Sequence, residues 1–429
     1  VLVALALRVV AQRLRSRLLG EPASTRAADS GRQVAETLGR LGGVYTKLGQ
    51  YLSIRVDWFS DEFRGSLRVL TSQAPPLPFD SIRRAVEDAL GPLDRHFRDF
   101  ESEPLGTASI AQVHRARLIG GPVVAVKVLR PDLTPEGIAR DLRILRRLCR
   151  WLRAWTGVRA VEPLLDALAL ALAAEMDFER EGRAAEEIAA NLADEPRIVV
   201  PRVHWQACGP GVLTIDYVAG IRFDDPQQLA ERQIPAADCM AILCEAYGRQ
   251  VFAHGLFHAD PHTGNVFVVD ENDANAPALA PATMEKAEPG PRILFLDFGL
   301  VQRLDPQLRE ALRRGMLALI KRDLDGMVAA LQTLDAIVAG GEDLARAALQ
   351  EALDAGASAA LGANAATIET LVQLGKRLVR ESQAFRIPTE LLLYARTLAY
   401  IFALAETVAP GEDPMPRLLP HLLRFLASS

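Results

Sequence analysis

A chain of 429 residues is too long for one ordinary domain, and two or three are expected. Apolar residues make up 49 % of it, enough for a real core, and the formal net charge of −5 argues against nucleic acid as the main partner, because neutralising phosphates needs a basic surface. Four cysteines, Cys149, Cys208, Cys239 and Cys244, form no CxxC pair and no metal-type spacing, which fits reduced thiols in a cytoplasmic setting.

The chain opens with "VLVALALRVVAQRLRSRLL", an apolar segment ahead of Arg13, Arg15 and Arg17. It is too short to span a bilayer and lacks the small-residue cleavage site of a signal peptide. An interfacial helix on anionic lipid, a peripheral contact with the inner face of the cell membrane, fits the pattern. An ordinary packed helix, or the remnant of a longer segment, fits it too. Residues 1–95 read as helices, broken at "APPLPFD" (74–80). A capped helix then runs from Ser81 to Leu90 and stops at Gly91-Pro92.

From 100 to 130 the texture changes. "IAQVHRARLI", a Gly120-Gly121-Pro122 turn and "VVAVKVL" predict a hairpin. Helical periodicity returns over 136–192. A strand-rich patch follows, "RIVVPRVHW" and "GVLTIDYV", and then a helix over about 234–254. The turn "LFHADPHTGNVFVVD" (256–270) leads into the strands "NVFVVD" and "RILFLDF", which flank an Ala/Pro-rich loop. From 305 onward the pattern is helical. The apolar stretch 391–408 carries Arg396 and Glu406, so a buried amphipathic helix is expected there rather than a membrane span. The order predicts an α+β, two-lobed, kinase-like fold: a helical extension (1–95), a small lobe rich in antiparallel strands (96–222) and a mostly helical lobe (223–429).

Four groups carry the candidate chemistry. Lys127 lies in a strand whose alternation puts Ala125, Lys127 and Leu129 on one side and Val124, Val126 and Val128 on the other, and an ammonium on a partly apolar face needs an anion. In kinases, the lysine of Val-Ala-x-Lys meets nucleotide phosphates and a helix glutamate. The acidic run "AAEMDFEREG" (173–182), read as one helix, puts Asp177 and Glu181 on one face and Glu175 and Glu179 on another. Such like-charged pairs are either solvated or offset by cations. Asp260 precedes Asn265 by five residues, the kinase spacing in which the aspartate orients a hydroxyl or water and the asparagine holds magnesium. Asp297 follows a strand and precedes Phe298-Gly299, where a second metal-binding aspartate is expected. His254, His258 and His262 recur every four residues, but Pro261 and Gly264 interrupt any helix that would align them for zinc, so roles in packing and orienting the loop are expected.

Three departures separate the chain from ordinary protein kinases. No GxGxxG covers the phosphates, no Ala-Pro-Glu follows Asp297, and "YTKLGQYLSIR" stands in the helical preface. Together they resemble the UbiB/AarF/ADCK atypical kinase-like family, associated with ubiquinone and other prenyl-lipid metabolism. The motifs that carry the resemblance are Lys47, Gly49 and Gln50 of Lys-x-Gly-Gln; Thr107, Ala108 and Ser109 in place of the glycine loop; Glu175 and Asp177 of Glu-x-Asp; and the Asp260 and Asp297 motifs. It covers roughly residues 35–305. The resemblance implies that Lys47 meets the Glu-x-Asp carboxylates as a regulatory element and that Glu181 partners Lys127. It also implies that the 107–109 loop covers an adenine nucleotide, ATP or ADP, held with Mg2+.

The implied activity is a magnesium-dependent phosphotransferase or ATPase acting on or near a lipid-like or quinone-precursor ligand. Asp260 and Lys127 would be its catalytic groups, with Asn265 and Asp297 as its metal ligands. A nucleotide-gated regulator of a membrane-bound biosynthetic complex is the alternative. A true protein kinase is disfavoured by the missing segment after Asp-Phe-Gly.

Overall fold

The computed structural model describes residues 23–54, 60–67, 69–70, 75–156, 162–269, 290–356, 384–385 and 388–428. The basic N-terminal segment and the Ala/Pro-rich loop read from the sequence lie outside these residues. The fold is mixed, with a small antiparallel sheet lobe, a larger helical lobe and N-terminal helices. The chain divides into two compact units: Val1–Arg180 with Val203–Tyr217, and Glu181–Arg202 with Val218–Ser429.

The first unit begins with helices α1 (Ala23–Leu41), α2 (Gly43–Ile54) and α3 (Asp61–Leu67). Apolar residues at helical spacing on α2, Val44, Tyr45, Leu48 and Leu52, join a core with Leu165, Leu168 and Leu172. Helix α4 (Phe79–Leu90) ends where Gly91 takes φ +87, a positive-φ conformation that glycine adopts without steric cost. Ile82 and Val86 of α4 pack on the sheet.

That sheet runs β1 (Phe97–Thr107), β2 (Ala111–Leu118), β3 (Val123–Leu129) and β5 (Val212–Asp216), antiparallel throughout. The hairpin expected across Gly120-Gly121 is β2–β3, with Val113 opposite Lys127. The alternation in β3 holds: Val124, Val126 and Val128 are fully buried and the other face is half-buried. Strand β1 goes beyond the sequence reading. It is an exposed edge strand with bulges and mostly polar residues, so no apolar alternation announces it.

Helices α5 (Pro135–Thr156), α6 (Glu162–Glu175) and α7 (Phe178–Asn191) follow. The acidic run is not one helix. The chain breaks at Met176-Asp177, and Asp177 Oδ1 accepts the Arg180 backbone N–H at 2.9 Å, an N-cap contact that starts α7. The i, i+4 faces expected across 175–181 therefore do not exist as such.

In the second unit β4 (Ile198–Val199) pairs in parallel with a later strand, so the strand-rich patch 197–218 feeds two sheets rather than one. The second sheet has the order β4, β9 (Arg292–Phe295), β8 (Val266–Val269), β6 (Ile221–Arg222). A two-stranded ribbon joins β7 (Leu256–His258) to β10 (Val301–Arg303), so a short strand intervenes before the helix after Asp297. The helices are α8 (Pro226–Glu231), α9 (Ala236–Gly248), α10 (Pro306–Lys321), α11 (Leu324–Thr333), α12 (Glu342–Gly356), α13 (Thr389–Val408) and α14 (Met415–Ala427). Asp225, Asp305 and Asp323 cap α8, α10 and α11 through the N–H three residues on.

Helix α13 is the amphipathic helix expected at 391–408. Leu393, Tyr394, Thr397, Ile401, Leu404, Ala405 and Val408 form its buried stripe. Among the described residues no helix is long and apolar enough to cross a membrane.

Candidate active site

The second unit's site is built on a loop entered through an irregular helix end. After α9, residues Arg249–His254 form a π-turn, whose wider winding re-aims the chain into β7. Arg309 caps this turn by donating to Ala253 O at 2.8 Å. Gly255 has φ +66, and β7 then delivers His258 into the interior.

His258 is fully buried and holds three backbone groups. Its Nε2 lies 2.9 Å from Asp297 O and 3.1 Å from Leu296 O, while its Nδ1 lies 3.3 Å from Asp260 N. Carbonyls accept and an N–H donates, so the ring is in the Nε2–H tautomer, donating to the Asp-Phe-Gly strand end and accepting from Asp260. Phe298 packs edge-on against the same ring at 5.5 Å. The four-residue histidine spacing does not build a metal centre: among the described residues no group of three metal-binding side chains gathers. His262 instead accepts the Gly264 N–H at Nδ1, 2.9 Å away, and shapes the turn.

Asp260 and Asn265 face one another across that turn. Asn265 Nδ2 donates to Asp260 O at 3.2 Å and approaches Asp260 Oδ2 at 3.4 Å. With its amide nitrogen turned to Asp260, Asn265 leaves its carbonyl oxygen as the atom suited to a cation. Asn265 O in turn accepts the Leu296 N–H at 2.8 Å, tying the loop to the strand that ends at Asp297.

Asp297 has φ +58, a region uncommon for a residue with a side chain. Its Oδ1 accepts the Gly299 N–H at 3.2 Å, a local bond that offsets part of the strain. Gly299 sits between two carboxylates: a Cβ there would lie 3.1 Å from Asp297 Oδ1 and 3.6 Å from Glu181 Oε2. A hard oxygen-donor set of this kind, one or two carboxylates and an amide carbonyl, suits magnesium, which takes its remaining ligands from phosphates and water.

One residue of this site escaped the motif reading. Arg396, on α13, donates from Nη2 to Asp260 Oδ1 at 2.5 Å. A lone arginine in an apolar helix was the only sequence signal, and nothing in the sequence names its partner.

In the first unit, Lys47 Nζ lies 2.5 Å from Glu175 Oε2. Gly49 and Gln50 do a different job in the same helix. A Cβ at Gly49 would run into Leu70 Cδ1, and Gln50 Nε2 donates to Leu70 O at 3.1 Å, so these two seat α2 against the segment after α3. Lys127 Nζ lies 5.2 Å from the centre of the buried Phe178 ring, a cation–π contact just past Asp177. Thr107 ends β1, and Ala108 N donates to Ala111 O at 2.8 Å to close the turn. Ser109 is buried, and its hydroxyl has no hydrogen-bond partner among the described residues. A buried hydroxyl without a partner is costly, and a polar ligand would satisfy it.

Comparison with known proteins now bears on these residues. The profile of the ABC1 atypical kinase-like domain matches residues 69–331. The chain belongs to that family. The resemblance read from the motifs is thereby borne out, and the ABC1 match covers both the Lys127 strand and the Asp260–Asp297 segment. Among ABC1 relatives, the chloroplastic Protein ACTIVITY OF BC1 COMPLEX KINASE 8 of Arabidopsis thaliana is 33 % identical over 72 % of this chain and 39 % of its own length. The probable protein kinase UbiB of Pseudomonas paraeruginosa is 32 % identical over 68 % of this chain and 53 % of its own length. The chain thus spans about half or less of these two relatives. A solved Mycobacterium tuberculosis protein, Rv3197 in complex with erythromycin, is similar in fold, with a TM-score of 0.51 and 23 % identity over 93 % of this chain and 98 % of its own.

Proposed function

We propose that this ABC1 protein is a magnesium-dependent ATP-binding phosphotransferase or ATPase acting on a small lipid-like acceptor of the quinone-precursor class. The observation that carries the reading is the linkage of Asp260, Asn265 and Asp297: one buried histidine bonds the backbone on either side, and Asn265 bonds Asp260 directly. The acceptor class rests on the family resemblance alone.

In this reading Asp260 orients the attacking hydroxyl or water. Asn265, through its carbonyl oxygen, and Asp297, through its carboxylate, hold magnesium. Lys127 steadies the phosphates, and the buried Ser109 hydroxyl finds its acceptor or donor on the nucleotide. Magnesium held there would supply positive charge that offsets the charge spreading over the transferred group. Positioning and charge stabilisation therefore account for the rate, with no covalent enzyme intermediate required. Lys47 and Glu175 form a regulatory clasp on the helical preface.

The test is hydrolysis of Mg-ATP by the wild type and by Asp297→Asn, with and without anionic vesicles and quinone precursors. Loss of the carboxylate should reduce turnover by about a hundredfold or more, the scale of removing one preorganised charge-stabilising group. Unchanged hydrolysis would remove Asp297 from the mechanism and the reading with it.

A further inference from the structure

Helix α13 lies outside the residues that the family profile matches, yet it runs along the Asp260 loop. Its contacts follow the loop in order. The Tyr394 ring meets Phe257 edge-on at 6.1 Å, Thr397 Oγ1 donates to Ala259 O at 3.3 Å, Arg396 reaches Asp260, and Tyr400 lies against His262 at 6.4 Å. In an otherwise apolar helix whose only other charges are Glu390 and Glu406, the single cation is spent on the carboxylate that the proposed chemistry needs.

As a stability device this pair is weak. Both side chains are about a third exposed, and ion pairs so placed add little once the cost of ordering a long arginine is counted. Its geometry serves orientation better. The terminal torsion of an aspartate is soft and roughly two-fold, so the direction of its lone pairs must be set from outside. Without Arg396, Asn265 Nδ2 at 3.4 Å is the one side-chain hydrogen bond left on this carboxylate among the described residues. Arg396 engages a single oxygen, Oδ1, rather than both, which leaves lone pairs of Oδ2 for an incoming hydroxyl or water.

We propose that Arg396 is a positioning residue for Asp260: α13 supplies it to fix the carboxylate in the orientation that receives the acceptor. This rests on the reading of Asp260 given above, and its test separates the two. In the full chain, Mg-ATP hydrolysis is measured for Arg396→Ala, Arg396→Lys, Asp260→Asn and the Arg396→Ala/Asp260→Asn pair, with thermal melting as a check on folding. Arg396→Ala should lower kcat about tenfold with KM for ATP changed less than about twofold, the signature of an interaction that matters after nucleotide binding. Added guanidinium ion should restore much of that loss, Arg396→Lys should retain more activity than alanine, and the arginine change should have no further effect once Asp260 is asparagine.

The inference falls if Arg396→Ala turns over like the wild type while Asp260→Asn does not. It falls equally if guanidinium restores nothing and the loss recurs at full size in the Asp260→Asn background, since Arg396 then acts elsewhere. Full activity in Asp260→Asn itself would overturn the underlying reading of the site instead.

Discussion

The two compact units hold their chemistry-bearing residues by different means. In the second, Asp260, Asn265 and Asp297 are fixed largely through backbone groups: His258 bonds Asp260 N and Asp297 O, and Asn265 O receives the Leu296 N–H. In the first, Lys47 and Glu175 come from helices far apart in the chain and meet only through their side-chain ends. A site held through its backbone has one buried keystone and tolerates change around it. A pair held by its tips depends equally on both partners.

The sharpest way to break that comparison is to remove the keystone. His258→Ala leaves one N–H and two carbonyls, all partly buried, without their ring partner, and an unsatisfied group fully shut off from water costs about 1–3 kcal/mol. Urea unfolding should show a loss of about 2–4 kcal/mol, with Mg-ATP hydrolysis lost as well. A loss below about 0.5 kcal/mol, the scale of an ordinary surface substitution, would mean that the loop is held some other way.

The Lys47–Glu175 pair should respond differently. With side chains 18 and 23 % exposed, it is withheld from most of the solvent without being fully buried. Removing either partner alone strands the other charge, whereas Lys47→Met with Glu175→Leu removes both and their desolvation together. A double-mutant cycle in unfolding free energy should give a coupling of about 0.5–2 kcal/mol, with the double variant more stable than the two single losses sum to. Strict additivity would show that the helices are seated by Gly49, Gln50 and the apolar core alone.

The same contrast explains what the sequence discloses. Asp260, Asn265 and Asp297 are legible because a backbone-held loop keeps its residues at fixed spacing along the chain. The β2–β3 hairpin is legible because Val124, Val126 and Val128 bury one face and the glycine turn marks its end. Strand β1 is not, since its pairing is set by an edge and several bulges while its residues stay polar. Asp177 reads as a helix interior because helical spacing says nothing of whether a carboxylate folds back to cap its own backbone. The patch at 197–218 reads as one group of strands because partners in different sheets leave no local trace. Arg396 is the strongest case, since its meaning lies wholly in a loop that precedes it by more than a hundred residues.

The smallest expected effect uses the cysteines as reporters of the two units. Cys149 and Cys208 belong to the first unit and are partly exposed. Cys239 and Cys244 lie on α9 of the second and are buried. Burial, with the charge of Asp238 adding to it for Cys239, pushes the thiols of Cys239 and Cys244 up to about 12. The thiolate is the reacting form, so at pH 8 these two are almost entirely in the inert state, against roughly a quarter ionised for an ordinary cysteine with a pKa of about 8.5. Cys208 is tempered in its own way, accepting the Thr214 N–H at 3.2 Å and donating to His204 O at 3.3 Å, but solvent reaches it. Iodoacetamide on the native protein, followed by mass spectrometry, should therefore label Cys149 and Cys208 first. Cys239 and Cys244 should follow only as the second unit opens, so low urea should raise their two rates together. Labelling of Cys239 in the native protein as fast as Cys208 would show that α9 breathes independently, and the helix that leads into the Asp260 loop would then be less fixed than the loop's hydrogen bonds imply.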